Sequence, residues 1–250
     1  DSGPEAWDRV KMVDGRVVRL ELNFLGPYAV PAEIGQLTSL QFLGLSDNEL
    51  TGAVPAEIGQ LTSLKMLDLS YNKLTSLSAE IGQLTSLKQL NLSGNQLTSL
   101  PAEIGQLTSL EELDLNENQL TRVPAEIGQL TSLKELDLDD NYLTSVPAEI
   151  GQLTSLKVLD LNYNYLTSVP AEIGQLTSLR QLNLSYNKLM SVPAEIGQLT
   201  SLSKLWLDGN RLTSLAAAIR ELREAGCYVY LRDGETVDEC CRTSQGGLVV

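Results

Sequence analysis

Leucines recur along this chain at two spacings, and their alternation predicts the architecture. In Leu110-Glu-Glu-Leu113-Asp-Leu115-Asn-Glu-Asn118-Gln-Leu120 the central leucines are two residues apart, so both point one way and Asp114 points the other. This predicts a short strand with one buried face. Seven further copies of the L-x-x-L-x-L-x-x-N-x-L template carry their Asn at 48, 72, 95, 141, 164, 187 and 210. Each Asn falls where the chain turns away from the strand, and its amide suits backbone groups that no ladder reaches. Between the strands, PAEIGQLTSL begins at Pro31, Pro55, Pro101, Pro124, Pro147, Pro170 and Pro193, and as SAEIGQLTSL at Ser78, in one step of 24 and six of 23 residues. It reads as a short helix, with Pro at the first helical position and an acid in the first turn. Ile and Leu fall three apart on one side, and Gly keeps the helix short.

One such unit cannot cover its own apolar face, but stacked neighbours bury a continuous Leu/Ile/Val column. The expected fold is therefore α/β: a solenoid with a parallel sheet on one face and short helical segments on the other. Residues 1–16 read as an N-terminal cap, 17–214 as about nine strand units, 215–232 as a capping helix and strand, and 233–250 as a flexible tail. The helix is written in Leu215-Ala-Ala-Ala-Ile-Arg-Glu-Leu-Arg-Glu-Ala-Gly226, with its Gly stop, and the strand in Cys227-Tyr-Val-Tyr-Leu231.

These patterns, over roughly residues 17 to 215, resemble a leucine-rich repeat protein. The resemblance implies a curved, right-handed solenoid with its sheet on the concave side, and a domain that serves as an interaction scaffold. Thr51-Gly52-Ala53-Val54-Pro55 resembles the plant-type repeat, whereas Leu143-Thr-Ser-Val-Pro147 resembles the shorter bacterial and intracellular form. Trp7 through Gly15-Arg-Val-Val18-Arg-Leu20-Glu-Leu22 resembles the plant-type cap but lacks the cysteine pair of secreted members, which tilts the expectation towards a cytoplasmic protein. The first unit has Leu25 in place of the turn Asn.

Composition narrows the chemistry. The net charge is −14, from 32 acids against 18 bases, which argues against binding nucleic acid or anionic lipid. Histidine is absent, removing Ser-His and Cys-His nucleophile pairs and the commonest general base. No glycine-rich phosphate loop occurs, so no cofactor is expected. Asp137-Leu-Asp139-Asp140-Asn141 copies the start of a calcium loop, but Tyr142 and Ala148 stand where Gly and Glu are needed. No metal site is expected. The cysteines, Cys227, Cys240 and Cys241, read as free thiols, and the sequons at Asn91 and Asn183 fall on strands, where a glycan would cover the sheet.

What varies between copies is informative. The helical segment barely changes, while the positions between template leucines vary freely. Of 12 aromatics, four belong to the ends; Phe24, Phe42, Tyr71, Tyr142, Tyr163, Tyr165, Tyr186 and Trp206 all occupy exposed strand positions or the adjoining loop. Exposed aromatics cost solubility and are enriched at binding hot spots. Lys65, Lys88, Glu111, Lys134, Lys157 and Arg180 form a mostly basic row; Asp68, Asn91, Asp114, Asp137, Asp160 and Asn183 form an acidic one, to which Glu112, Glu117, Glu135, Asp139 and Asp140 add. The expected function is non-enzymatic recognition of a protein or peptide bearing basic and apolar or aromatic groups. The expected site comprises Tyr71, Asp114, Glu117, Glu135, Asp137, Asp139, Asp140, Asp160, Tyr163, Tyr165, Tyr186 and Trp206. In particular, Tyr163, Tyr186 and Trp206 should form one apolar platform, edged by Lys204 and Arg211. Two alternatives stay open: an ice- or polysaccharide-binding protein using the ladder of Thr38, Thr62, Thr85, Thr108, Thr131, Thr154, Thr177 and Thr200, or a recognition fragment of a larger receptor or ligase.

Overall fold

The computed structural model describes residues 9–26, 29–213, 217–232 and 235–236. Trp7, Tyr28, Leu215, Cys240 and Cys241 lie outside the described residues. The strands are β1 (Val10–Val13), β2 (Arg16–Glu21), β3 (Phe42–Gly44), β4 (Thr51–Ala53), β5 (Met66–Asp68), β6 (Lys73–Ser76) and β7 (Gln89–Asn91). They continue as β8 (Glu112–Asp114), β9 (Glu135–Asp137), β10 (Val158–Asp160), β11 (Gln181–Asn183), β12 (Lys204–Trp206), β13 (Tyr228–Arg232) and β14 (Glu235–Thr236). Among the described residues, twelve of these form one sheet in the order β1-β2-β3-β5-β7-β8-β9-β10-β11-β12-β13-β14. It is parallel from β2 to β13, with β1 and β14 added antiparallel at its ends. The chain is an α/β repeat solenoid.

Strand pairing holds one register throughout, so equivalent side chains stack in rows: Leu113 pairs Leu136, and Asp114 pairs Asp137. The template leucines turn inward into a single core that runs from Ile34 to Val229. Behind the sheet, each Ala-Glu-Ile-Gly-Gln forms a 3-10 turn rather than an α-helix, as Ala102–Gln106 shows. Its bonds run i to i+3, from Ile104 N–H to Pro101 O (3.1 Å) and from Leu107 N–H to Ile104 O (3.2 Å). The preceding Pro is not the first helical residue: Pro101 has ψ 150, the extended cap before it.

Two physical causes select this slimmer turn. Stacked strands are about 4.8 Å apart, which leaves no room behind them for wide α-helices. Glycine then permits the close stacking, and this corrects its expected role as a helix stop. A Cβ on Gly128 would lie 2.6 Å from the Glu149 carbonyl oxygen of the next repeat. Where the repeat ends, a wider helix becomes possible: α1 (Ala217–Glu224) buries Ala218, Ile219 and Leu222 against the last 3-10 turn and closes the core. Gly226, with φ +95, terminates it.

Three further departures concern the ends and the long repeat. Val10–Glu21 form a hairpin turned by Asp14 and Gly15, both with positive φ. The expected tail begins with a strand, β14, paired to β13. The 24-residue repeat spends its extra residue on β4, which pairs β6 in a separate two-stranded sheet.

Candidate functional site

The turn asparagines hold each unit to its neighbour. Asn141 is 1% exposed; its Nδ2 donates to the carbonyls of Leu115 (2.9 Å), Asp139 (3.1 Å) and Leu138 (3.3 Å), and its Oδ1 accepts from Leu120 N–H (2.9 Å). Two of those partners belong to the preceding repeat, so the ladder runs the length of the solenoid. Leu25, which lacks this chemistry, stays exposed, and Asn48 Oδ1 accepts from its N–H instead.

On the open face of the sheet, two rows alternate with the buried leucines. The first runs Phe42, Met66, Gln89, Glu112, Glu135, Val158, Gln181 and Lys204; the second runs Gly44, Asp68, Asn91, Asp114, Asp137, Asp160, Asn183 and Trp206. Between Phe42 and Asp137 they line a hollow of about 300 Å³. Its walls carry five carboxylates, with Phe42 and Met66 at one end. Phe42 was noted as an exposed aromatic but not placed in the site, and Met66 was missed, because only the strand register brings the two together at the end of the hollow.

Charges on this face sort themselves. The basic row is partly self-neutralising: Glu111 accepts from Lys88 Nζ (2.8 Å) and Lys134 Nζ (2.5 Å), which hold its carboxyl down at about 2. Asp114, Asp137 and Asp160 have no ion pair among the described residues. Each instead accepts a backbone N–H two residues on, from Asn116, Asp139 and Asn162 respectively. Burial pushes the Asp160 carboxyl up to about 6, helped by Asp137 and Asp139 and opposed by hydrogen bonds from Asn162 and Asn183. Asp114 and Asp139 are raised for the same leading reason. Asn116 Oδ1, Asp139 Oδ1 and Asn162 Oδ1, at one position of three adjacent repeats, are buried without a hydrogen-bond partner among the described residues.

Beyond the strands, the chain turns through a third row: Phe24, Asp47, Tyr71, Gly94, Glu117, Asp140, Tyr163, Tyr186 and Gly209, all with positive φ, between 43 and 66. For bulky side chains this left-handed conformation costs about 1–3 kcal/mol per residue. The glycines at 94 and 209 were the sequence signal for it. Tyr71 and Tyr186 lean onto those glycines, where an added Cβ would lie 2.6 and 2.7 Å from their rings. This row, not the strands, carries Tyr71, Glu117, Asp140, Tyr163 and Tyr186.

The aromatic residues therefore do not form one platform. Tyr163 stacks on Tyr186 (centroids 4.4 Å, interplanar 5°), whereas Trp206 stacks on Tyr230 (5.6 Å). Register separates them: Trp206 lies in the Asp160–Asn183 row, three residues before the turn row. Lys204 does edge Trp206, at 5.7 Å from its ring. A third pair, Tyr142 and Tyr165 (5.9 Å), lies one step past the buried asparagines, with Lys188 Nζ 4.2 Å over Tyr165. The threonine ladder is exposed on the opposite, convex side, beside the 3-10 turns.

Among the described residues, no group of three acids or thiols converges to hold a metal ion, and Cys227 is a buried free thiol whose burial raises it to about 11.

Comparison with known proteins follows the same geometry. A family model described as a leucine-rich repeat region matches residues 15–139, 78–161 and 124–225. No curated protein sequence matches the chain. Among solved structures, a leucine-rich repeat protein of Leptospira interrogans is 47% identical (TM-score 0.78), over 85% of this chain and 54% of its own. The leucine-rich repeat ectodomain of the Arabidopsis thaliana membrane receptor kinase GASSHO1/SCHENGEN3, in complex with Casparian strip integrity factor 2, is 30% identical (TM-score 0.73), over 83% and 29%. An internalin of Listeria monocytogenes is 25% identical (TM-score 0.72), over 84% and 59%. The chain spans less than two thirds of each of these proteins.

Proposed function

Because the chain belongs to the leucine-rich repeat family, whose fold is typical of protein–protein recognition modules, we propose that it is a non-enzymatic module binding a protein or peptide on its open sheet face. One observation carries this reading. The convex turns repeat almost unchanged, while the sheet face and adjoining turn concentrate unpaired carboxylates and exposed aromatic rings that differ from repeat to repeat. A surface needed only for stacking has no use for such variety. The GASSHO1/SCHENGEN3 ectodomain, a related solenoid, is seen in complex with a partner, which supports the same use here.

The partner brings Lys or Arg to Asp114, Glu135, Asp137, Asp139 and Asp160, and apolar or aromatic groups to the flanking rings. Opposite charge steers the encounter, and the rings retain the partner by excluding water. The test is selection of a random peptide display library on the whole chain. Selected peptides should weaken about tenfold or more on Asp114→Asn/Asp137→Asn or Trp206→Ala variants, and bind normally when Glu126, Glu149 and Glu172 on the convex side become Gln. The reverse pattern would overturn the reading.

A further inference from the structure

Resting on that reading, we infer that the turn row holds an arginine receptor: a partner's guanidinium stacks on the open face of Tyr163 and pairs with Asp140. Tyr163 is 52% exposed, and one face of its ring is covered by Tyr186. Among the described residues, no side chain stacks on the other. The neighbouring position in the preceding repeat is Asp140, exposed and without an ion pair among the described residues. Both residues are held with positive φ, 43 and 48, so the backbone fixes where each side chain starts. Glycine serves this position without strain at 94 and 209, yet tyrosine stands here at a conformational cost. The strained backbone and the stack on Tyr186 together hold the ring in place with its other face turned to solvent.

The molecule already builds the proposed arrangement from its own residues. Arg19 Cζ lies 3.6 Å above the Phe42 ring centroid, while its Nε donates to Glu21 Oε1 at 2.6 Å. Aromatic face and carboxylate together hold a guanidinium there. Asp140 and Tyr163 present the same two components with the cation left to the partner. Asp47 and Tyr71 repeat the order four units earlier, Tyr71 resting on Gly94 as Tyr163 rests on Tyr186. Stacking selects the guanidinium over an ammonium: it is planar, weakly hydrated and able to pair a carboxylate edge-on while lying flat on a ring.

The test compares fluorescently labelled hexa-arginine and hexa-lysine peptides, equal in charge, by anisotropy with the whole chain at physiological salt. Hexa-arginine should bind about fivefold more tightly. In Tyr71→Ala/Tyr163→Ala the preference should fall to about one, with urea midpoints confirming a folded chain. Tyr71→Phe/Tyr163→Phe should keep it, and Asp47→Asn/Asp140→Asn should reduce it. Equal binding in the parent chain, no binding of either peptide, or a preference that survives loss of both rings would overturn the arginine site. Equal binding abolished by Asp114→Asn/Asp137→Asn would overturn it while leaving the sheet-face reading intact.

Discussion

The two faces of this solenoid are built from the same repeat and obey different rules. On the convex side, Ala-Glu-Ile-Gly-Gln recurs nearly unchanged, and each residue answers to the next copy of itself: the glycine at 128 exists because the Glu149 backbone passes 2.6 Å from where a Cβ would be. On the sheet side, equivalent positions also stack, yet hold Asp160, Asn183 and Trp206 in consecutive strands. Stacking tolerates that variety because these side chains project away from the core. The difference teaches that periodicity alone carries no specificity; on the proposed function, recognition is written where the repeat departs from itself.

The sharpest way to break this comparison is inside the core both faces share. Leu136→Ala, at a fully buried template position, should cost about 2–5 kcal/mol, read as a urea midpoint shift. A loss below 1 kcal/mol would mean that the units do not depend on a continuous column. Next, Gly128→Ala should cost about 1–3 kcal/mol by overpacking the convex stack. By contrast, Glu135→Ala, which trims an exposed side chain on the sheet face, should cost under about 0.5 kcal/mol; comparable losses would erase the distinction between the faces.

The turn between the faces gives an intermediate effect. Asn141→Ala should cost about 1–3 kcal/mol by stranding four buried backbone bonds, against under about 0.5 kcal/mol for the exposed neighbour Tyr142→Ala. The smallest effect concerns charge. Asp160 has a folded value of about 6, above its unfolded value near 4, so the fold favours its neutral form. Its contribution to stability is present below about pH 4 and is lost as pH rises through about 6. Asp160→Asn should therefore stabilise the chain by under about 1 kcal/mol at about pH 7.5, the group being partly screened by solvent, and leave it unchanged at about pH 3.5. Thermal melts at the two pH values distinguish this from a stabilisation independent of charge.

Much of the architecture was legible in the residues because a repeat multiplies weak local signals. One L-x-L is ambiguous, but eight in register, each with its Asn, leave only stacked strands. Position within a turn is less legible. Tyr163 and Trp206 both look like exposed aromatics beside a strand, and counting strand units merges them into one platform. They separate because Tyr163 belongs to the turn row, three positions past the strand row that holds Trp206, where φ is positive. Gly94 and Gly209 marked that row in the sequence, since they stand at the same repeat position as Tyr71, Tyr163 and Tyr186.

What the sequence by itself determined is the unit: an inward leucine pair, a buried turn amide and a short turn behind, since each follows from spacing and side-chain chemistry within 23 residues. What only the tertiary structure decided is everything set by the distance between units. Close stacking makes the convex segment a 3-10 turn, makes its glycine a packing residue, couples Lys88 and Lys134 through Glu111, and places Tyr163 on Tyr186 rather than beside Trp206. Those contacts join residues about one repeat apart, and their geometry depends on how tightly the strands draw the repeats together.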